Sequence, residues 1–258
     1  MAIAKVFVFI MGAIVGSFLN VCIYRLPRGE SLVFPGSHCV HCNNKIHWFD
    51  NIPFFSYLIL RGRCRFCRRP ISPRYFLVEL LTALLWLTLF VTFGLTPKFF
   101  LLGLLGSALI VSTFIDFEFQ IIPDVITISG IFAGLIAAFA FPSVLNEAAR
   151  QAALLNSFLG VIAGGGSIYL IGVLGKMVFK KDAMGGGDVK LMAMIGAFLG
   201  WKLALLIFFV APFFGAFIGI ILKMRYKIDV IPYGPYLSLA TIIVIFWGGK
   251  ILNYLFVY

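Results

Sequence analysis

Long apolar runs dominate this chain, and nothing constrains its fold more. Eight stretches, roughly 3–23, 75–93, 99–115, 125–141, 154–178, 189–200, 203–222 and 236–255, carry almost no charge. A helix needs ~20 mostly apolar residues to cross a bilayer. The sixth stretch is the shortest and holds Lys190 at its start. Of 258 residues, 62% are hydrophobic and 12% charged, whereas a soluble domain is ~45–50% apolar and ~25% charged. The pattern predicts an all-α polytopic membrane protein of about eight transmembrane helices and a small loop domain. Three parts follow: a first transmembrane helix (1–23), a cytoplasmic loop domain (24–74) and a seven-helix membrane domain (75–258).

The net charge of +11 would suggest nucleic acid in a soluble protein. Here lysine and arginine collect in cytoplasmic loops and fix orientation, so lipid is the expected partner and nucleic acid is not. With the N-terminus outside, the inner loops hold 16 basic residues, among them Arg25, Arg61, Arg65, Lys180, Lys181, Lys190 and Lys227, and the outer side holds 5. On this topology Asp116, Asp124 and Asp188 all lie at the cytoplasmic face. The first run is read as a retained helix: its basic residues, Arg25 and Arg28, follow the apolar run, whereas a signal peptide carries charge before it.

The segment 24–74 is too small for an ordinary core and calls for a staple. It contains Cys39-x-x-Cys42 and Cys64-x-x-Cys67, with 21 residues between the pairs. Two such pairs are a strong zinc signal, since four thiolates complete a closed tetrahedral site. The arginines at 61, 63, 65, 68 and 69 would favour thiolate. A cytoplasmic compartment disfavours disulfides. His38 and His41 could replace a cysteine. Cys22 reads as a small buried apolar residue. A closed site leaves no position for water, so the zinc is structural. Glycines spaced four apart (Gly12/Gly16, Gly130/Gly134, Gly196/Gly200, Gly215/Gly219) and the run Gly164-Gly165-Gly166 read as helix-packing surfaces.

Two carboxylates stand out in this apolar chain. Asp188 ends Gly185-Gly186-Gly187-Asp188, and Asp116 ends an apolar run in Phe114-Ile115-Asp116. Ionisable groups in membrane segments are costly and are functional candidates by default. Two close carboxyls share one proton, so one can take a proton from water while the other polarises a carbonyl. Alternatively, Asp188 caps the helix that follows it.

A wider set of motifs carries a resemblance. Gly16-Ser17-Phe18-Leu19-Asn20-Val21 leads to Arg25-Leu26-Pro27; the two CxxC pairs follow. Asn51-Ile52-Pro53, Val78-Glu79-Leu80, Ile115-Asp116, Ile122-Pro123-Asp124, the Gly185–Asp188 run and Pro232-Tyr233-Gly234-Pro235-Tyr236 come after. In this order the chain resembles the type IV prepilin peptidases, bifunctional membrane aspartic proteases. The resemblance implies cleavage of the basic leader of type IV prepilins and pseudopilins at the cytoplasmic face of the bacterial inner membrane. It also implies methylation of the new N-terminal amine, often of Phe, from S-adenosylmethionine. It places the catalytic pair at Asp116 and Asp188, with Gly185 and Gly187 in the GxGD motif and Asp124 in support. Asn20, Arg25 and Glu79, at the border of the loop, are places to seek the methyltransferase site. The alternative is an ion-coupled transporter using Asp116 and Asp188; a third reading is a scaffold whose zinc loop binds a partner.

Overall fold

The computed structural model describes residues 2–180, 184–226 and 232–256. Its regular elements are helices, with two isolated β-bridges in the loop segment. In chain order these are α1 (Ala2–Arg25), the short α2 (Phe55–Ile59), α3 (Arg74–Phe93), α4 (Pro97–Phe119), α5 (Asp124–Ala140), α6 (Arg150–Phe179), α7 (Gly186–Leu199), α8 (Trp201–Tyr226) and α9 (Gly234–Phe256). Each of the eight apolar stretches falls on a long helix. Six of these helices are long and apolar enough to cross a membrane. The other two, α5 with 17 residues and α7 with 14, extend only about 25 and 21 Å at ~1.5 Å per residue. The expected count of about eight therefore resolves into six full-length spans and two shorter helices.

The chain forms two compact units, Met1–Val111 and Ser112–Tyr258, with α4 running from one into the other. In the first unit α1 packs on α3. A Cβ at Gly12 would stand 2.8 Å from the Ala83 Cα, and one at Gly16 would stand 2.7 Å from the Glu79 Cα. Only small residues allow backbones to meet so closely. Trp86 donates its indole N–H to Ser107 Oγ at 3.2 Å, joining α3 to α4. Cys22 is buried, as its apolar reading expects.

In the second unit the central element is α7, buried at every position from Leu191 to Phe198. Such a helix has no lipid-facing stripe to match to bilayer thickness, and this accounts for its shortness. Gly160 and Gly196 face each other where α6 crosses α7, and Gly164 lies against the Met192 carbonyl. Gly130 and Gly134 set α5 against Met194 and Ala197. Gly200, which ends α7 at φ 78°, also lies against α6, where its Cβ would stand 2.5 Å from Asn156 Oδ1; a Cβ at Gly215 would meet Tyr236 at an ordinary 3.5 Å, so that pair is the looser one.

The segment between α1 and α3 has almost no buried apolar residue; Cys64 is the exception. Polar anchors at its ends substitute for a core. Arg25, 5% exposed, donates to the carbonyls of Ser31, Pro35 and Gly36 at 2.7, 2.6 and 3.3 Å. Glu79 on α3 accepts the N–H of Phe54 at 3.0 Å.

Candidate functional site

Asp116 lies in the last turn of α4 and is 5% exposed. The chain leaves that helix through Gln120, at φ 55°, whose N–H returns to the Asp116 carbonyl at 3.0 Å. Buried Ile122 follows, and Pro123 stands before the start of α5. Asp116 Oδ2 accepts the N–H of Gly234, the first residue of α9, at 3.0 Å. A helix N-terminus presents free N–H groups and a positive dipole end, a natural seat for a carboxylate. Glycine is required there, because a Cβ at 234 would come within 2.7 Å of that oxygen.

Asp188 is the third residue of α7 and is 9% exposed. The cap position belongs to Gly185, which makes no side-chain cap bond, and the Asp188 N–H donates to the Gly185 carbonyl at 3.1 Å. Asp188 is thus not the cap residue itself, but from the first turn its carboxylate reaches back to the Gly185 N–H, so the capping alternative holds in part. Its Oδ1 is buried with no hydrogen-bond partner. A Cβ at Gly187 would stand 3.0 Å from the Ile122 Cβ, and one at Gly234 would stand 3.2 Å from the Ile122 Cδ1. Ile122 is thus the wedge around which the end of α4 and the starts of α7 and α9 converge. The Asp116 charge is felt at Asp188. Burial, and then the Asp188 charge, push the Tyr233 phenol up to about 12, so it remains a hydroxyl beside the pair.

Asp116, Asp188, Gly185 and Gly187 are therefore brought to one place, whereas Asp124 is turned away. Its side chain is 56% exposed and both oxygens accept from Lys190 Nζ, at 2.6 and 2.8 Å. Nor does it cap α5, whose cap position is Pro123. Ile122, Tyr233 and the Gly234 amide are the site residues that the sequence left without a role. Tyr233 and Gly234 lie in the motif Pro232–Tyr236, whose glycine and prolines were the available signal.

The second candidate centre lies wholly in the first unit. The sulfurs of Cys39, Cys42, Cys64 and Cys67 all lie within 4.8 Å of one another, and Cys39 and Cys67 are 3.9 Å apart. Zinc–sulfur bonds of ~2.3 Å in a tetrahedron space the sulfurs at about 3.8 Å, so the cluster fits that ion. Two matching backbone turns build it. In one, Cys39 N–H donates to Asn44 O at 3.0 Å and Asn43 N–H to Cys39 O at 2.8 Å, with Asn43 at φ 55°. In the other, Cys64 N–H donates to Arg69 O at 2.9 Å and Arg68 N–H to Cys64 O at 3.1 Å, with Arg68 at φ 59°. Bridges His38–Lys45 and Arg63–Pro70 close both turns. The repeat of 25 positions escapes a sequence reading because little beyond the cysteines is shared. The Cys67 N–H, with that of Phe66 in support, lowers the Cys64 thiol to about 7 against the pull of burial. Neither His38 nor His41 belongs to the cluster; His38 Nδ1 lies 3.0 Å from the Gly36 carbonyl. Arg65 does not serve the thiolates as expected. It grips Asp50 through two bonds of 2.7 and 2.5 Å and holds that carboxyl below its usual range.

Residues 10–93 match the bacterial peptidase A24 N-terminal domain, and residues 103–220 match the type IV leader peptidase family. A prepilin leader peptidase/N-methyltransferase of Aeromonas hydrophila is 36% identical over 271 residues, covering 95% of this chain and 91% of the relative. One of the same description from Pseudomonas aeruginosa is 35% identical, covering 94% and 90%. A third, from Myxococcus xanthus, is 41% identical over 219 residues, and the match spans 85% of this chain but 63% of that longer protein. No solved structure matches the chain. The transporter alternative finds no support in these similarities. With two relatives matched over at least nine tenths of both chains and two family models matching residues 10–93 and 103–220, this chain belongs to the type IV leader peptidase family, among the prepilin leader peptidase/N-methyltransferases.

Proposed function

We propose that Asp116 and Asp188 are the catalytic pair of a prepilin leader peptidase. One observation carries this reading: two buried carboxylates lie near enough in one apolar helical unit for the charge of one to act on the other, and one of them keeps an oxygen without a partner. Burying a carboxylate without full compensation is costly and is tolerated where the group has work to do. The pair shares one proton. Its ionised member takes a proton from water as that water attacks the scissile carbonyl, and its protonated member donates to the carbonyl oxygen. The Gly234 N–H orients Asp116, and the unpartnered Asp188 Oδ1 keeps the capacity to accept from water or substrate. Gly187 leaves room for Ile122, and Gly185 lies against the Asp188 carboxylate. Asp124 and Lys190 hold α5 to α7 from outside the reaction.

The substrates are type IV prepilins and pseudopilins. The basic-residue bias places the aspartates at the cytoplasmic face of the inner membrane; Lys181 and Lys227, counted toward that bias, lie outside the described residues. Residues 1–23 and 75–258 stand in the bilayer against lipid, and residues 24–74 form the loop domain. Nucleic acid is no partner. Cys39, Cys42, Cys64 and Cys67 hold one structural Zn2+ whose role is to fix that loop. After cleavage the new N-terminal amine is methylated, and S-adenosylmethionine supplies the methyl group.

The test is mass spectrometry of a prepilin incubated with membranes holding the wild type, Asp116→Asn or Asp188→Asn. The wild type alone should remove the leader and add 14 Da, one methyl in place of a hydrogen, to the mature N-terminus. Cleavage by Asp116→Asn but not by Asp124→Asn would move the site to Asp124. Intact prepilin with the wild type would refute the reading.

A further inference from the structure

The seam between α1 and α3 holds a second group of buried polar side chains that leader cleavage does not use. Ser17 and Asn20 stand one turn apart on α1; Tyr75 and Glu79 stand one turn apart on α3. Gly16 brings the two helices into backbone contact at Glu79. Glu79 is 8% exposed, and its carboxylate accepts the Phe54 N–H at 3.0 Å and the Ser17 hydroxyl. Asn20 is 2% exposed, and its Nδ2 donates to the Tyr75 carbonyl at 3.0 Å. That bond fixes the amide's orientation, because only its nitrogen can face a carbonyl. The Asn20 Oδ1 is left buried without a partner, which native interiors rarely permit and which calls for a reason. Holding the Phe54 N–H, in a residue at φ 62°, explains an acceptor at position 79. It explains neither an ionisable carboxyl within α3 nor the orphan oxygen of Asn20.

The spare capacity of Asn20 and Glu79 is acceptor capacity, so the group that completes these two brings donors and positive charge. Aromatic surface lies alongside: Phe54 stacks on Phe9 at 5.7 Å and meets Phe76 edge-on at 5.5 Å. We propose that Glu79 and Asn20 bind a primary ammonium at the end of an apolar peptide, the amine to be methylated, and that Glu79 takes the proton this amine must lose. The inference rests on the methyltransferase reading above. An ammonium nitrogen has no lone pair with which to attack. Its proton passes to the Glu79 carboxylate, and the freed pair forms the N–C bond to the methyl carbon. The methyl donor's C–S bond breaks in the same step, its electrons staying on sulfur, so the sulfonium becomes a neutral thioether and the product a secondary ammonium.

The full chain in lipid nanodiscs is tested with three probes: a short apolar peptide with a free amine, its N-acetyl form, and S-adenosylmethionine. Glu79→Gln keeps an acceptor for the Phe54 N–H and the side-chain size but loses the charge, and an unchanged metal content checks that the loop still folds. The wild type should bind the free-amine peptide at least about tenfold more tightly than the acetylated one. Glu79→Gln should erase that preference, leave S-adenosylmethionine binding unchanged and slow methyl transfer to the free-amine peptide by about a hundredfold or more. Asn20→Ala should weaken free-amine binding severalfold. Retention of the amine preference in Glu79→Gln would overturn the proposal. So would loss of S-adenosylmethionine binding with the preference intact, since the carboxylate would then serve the methyl donor. A wild type that transfers no methyl would instead sink the methyltransferase reading and the proton-acceptor role with it, and the amine preference would still decide whether the binding site exists.

Discussion

The aspartate pocket and the cysteine loop solve one problem, holding a few atoms in register, by opposite means. Around Asp116 and Asp188 the work is done by packing. Ile122 wedges against Gly187 and Gly234; a Cβ at Gly187 would press on it at 3.0 Å, and one at Gly234 would collide with the Asp116 carboxylate. The loop has almost no buried apolar residue and holds its four sulfurs through backbone turns, polar anchors and, as proposed, a metal. Precision from packing is lost by adding atoms. Precision from ligands is lost by removing them. The two regions should therefore fail in different ways.

The largest effect is expected in the pocket. Asp116→Asn and Asp188→Asn are nearly isosteric and should leave helix content and thermal transition close to the wild type, as circular dichroism would record. Leader cleavage should fall at least about a thousandfold, the scale seen when one member of a catalytic set is removed. Cleavage within tenfold of the wild type in either variant would dissolve the contrast, because the pocket would then be only packing.

Gly234→Ala comes next. The added methyl is driven toward Asp116 Oδ2, 2.7 Å away, and toward Ile122. A displacement of that order misaligns the reacting groups, and cleavage should drop by about a hundredfold. Gly166→Ala is the control, since a Cβ there meets nothing within 4 Å; it should cleave normally. Loss of one residue's chemistry and loss of one residue's emptiness would then be read in the same assay.

In the loop the decisive change is subtraction. Cys64→Ser, or chelation of the wild type, should abolish metal binding and open residues 26–73 to limited proteolysis. The second unit should keep its protection. Methyl transfer should fall more than leader cleavage does. Equal loss of both activities would show that the loop and the pocket do not fail independently.

How much of this was legible beforehand follows the same divide. Apolar runs and CxxC spacing are local patterns, so all eight long helices and the four-cysteine cluster could be anticipated. Asp116 and Asp188 could be paired because charge in an apolar run is conspicuous. Asp124 stood second to Asp116 in the sequence, as a supporting residue, and only the fold shows Lys190, 66 positions away, occupying it. Ile122 and the Gly234 amide were silent, since a hydrophobic residue and a backbone N–H announce nothing until the helices around them are placed. The matched turns at Cys39 and Cys64 hid in the backbone, where Asn43 and Arg68 share a conformation but no chemistry.

The smallest effects belong to the two ion pairs. Asp124→Asn removes the partner of Lys190 at a site where both side chains are largely exposed. Exposed pairs contribute ~0–1 kcal/mol, so cleavage should change by no more than about fivefold, far from the loss at Asp116. Asp50 and Arg65 form the loop's counterpart, with Asp50 held below the usual carboxylate range by the Arg65 guanidinium. A carboxyl whose folded pKa is depressed stabilises the fold fully above its unfolded value near ~4 and loses that contribution as pH falls through the folded value. Asp50→Asn should therefore lower loop stability slightly at pH 7, and its difference from the wild type should shrink as pH falls toward the folded value, measured by proteolysis rates over the pH range in which the metal stays bound. A larger effect at pH 7 than that of Cys64→Ser would mean that side-chain charge, rather than the sulfur cluster, holds the loop in register.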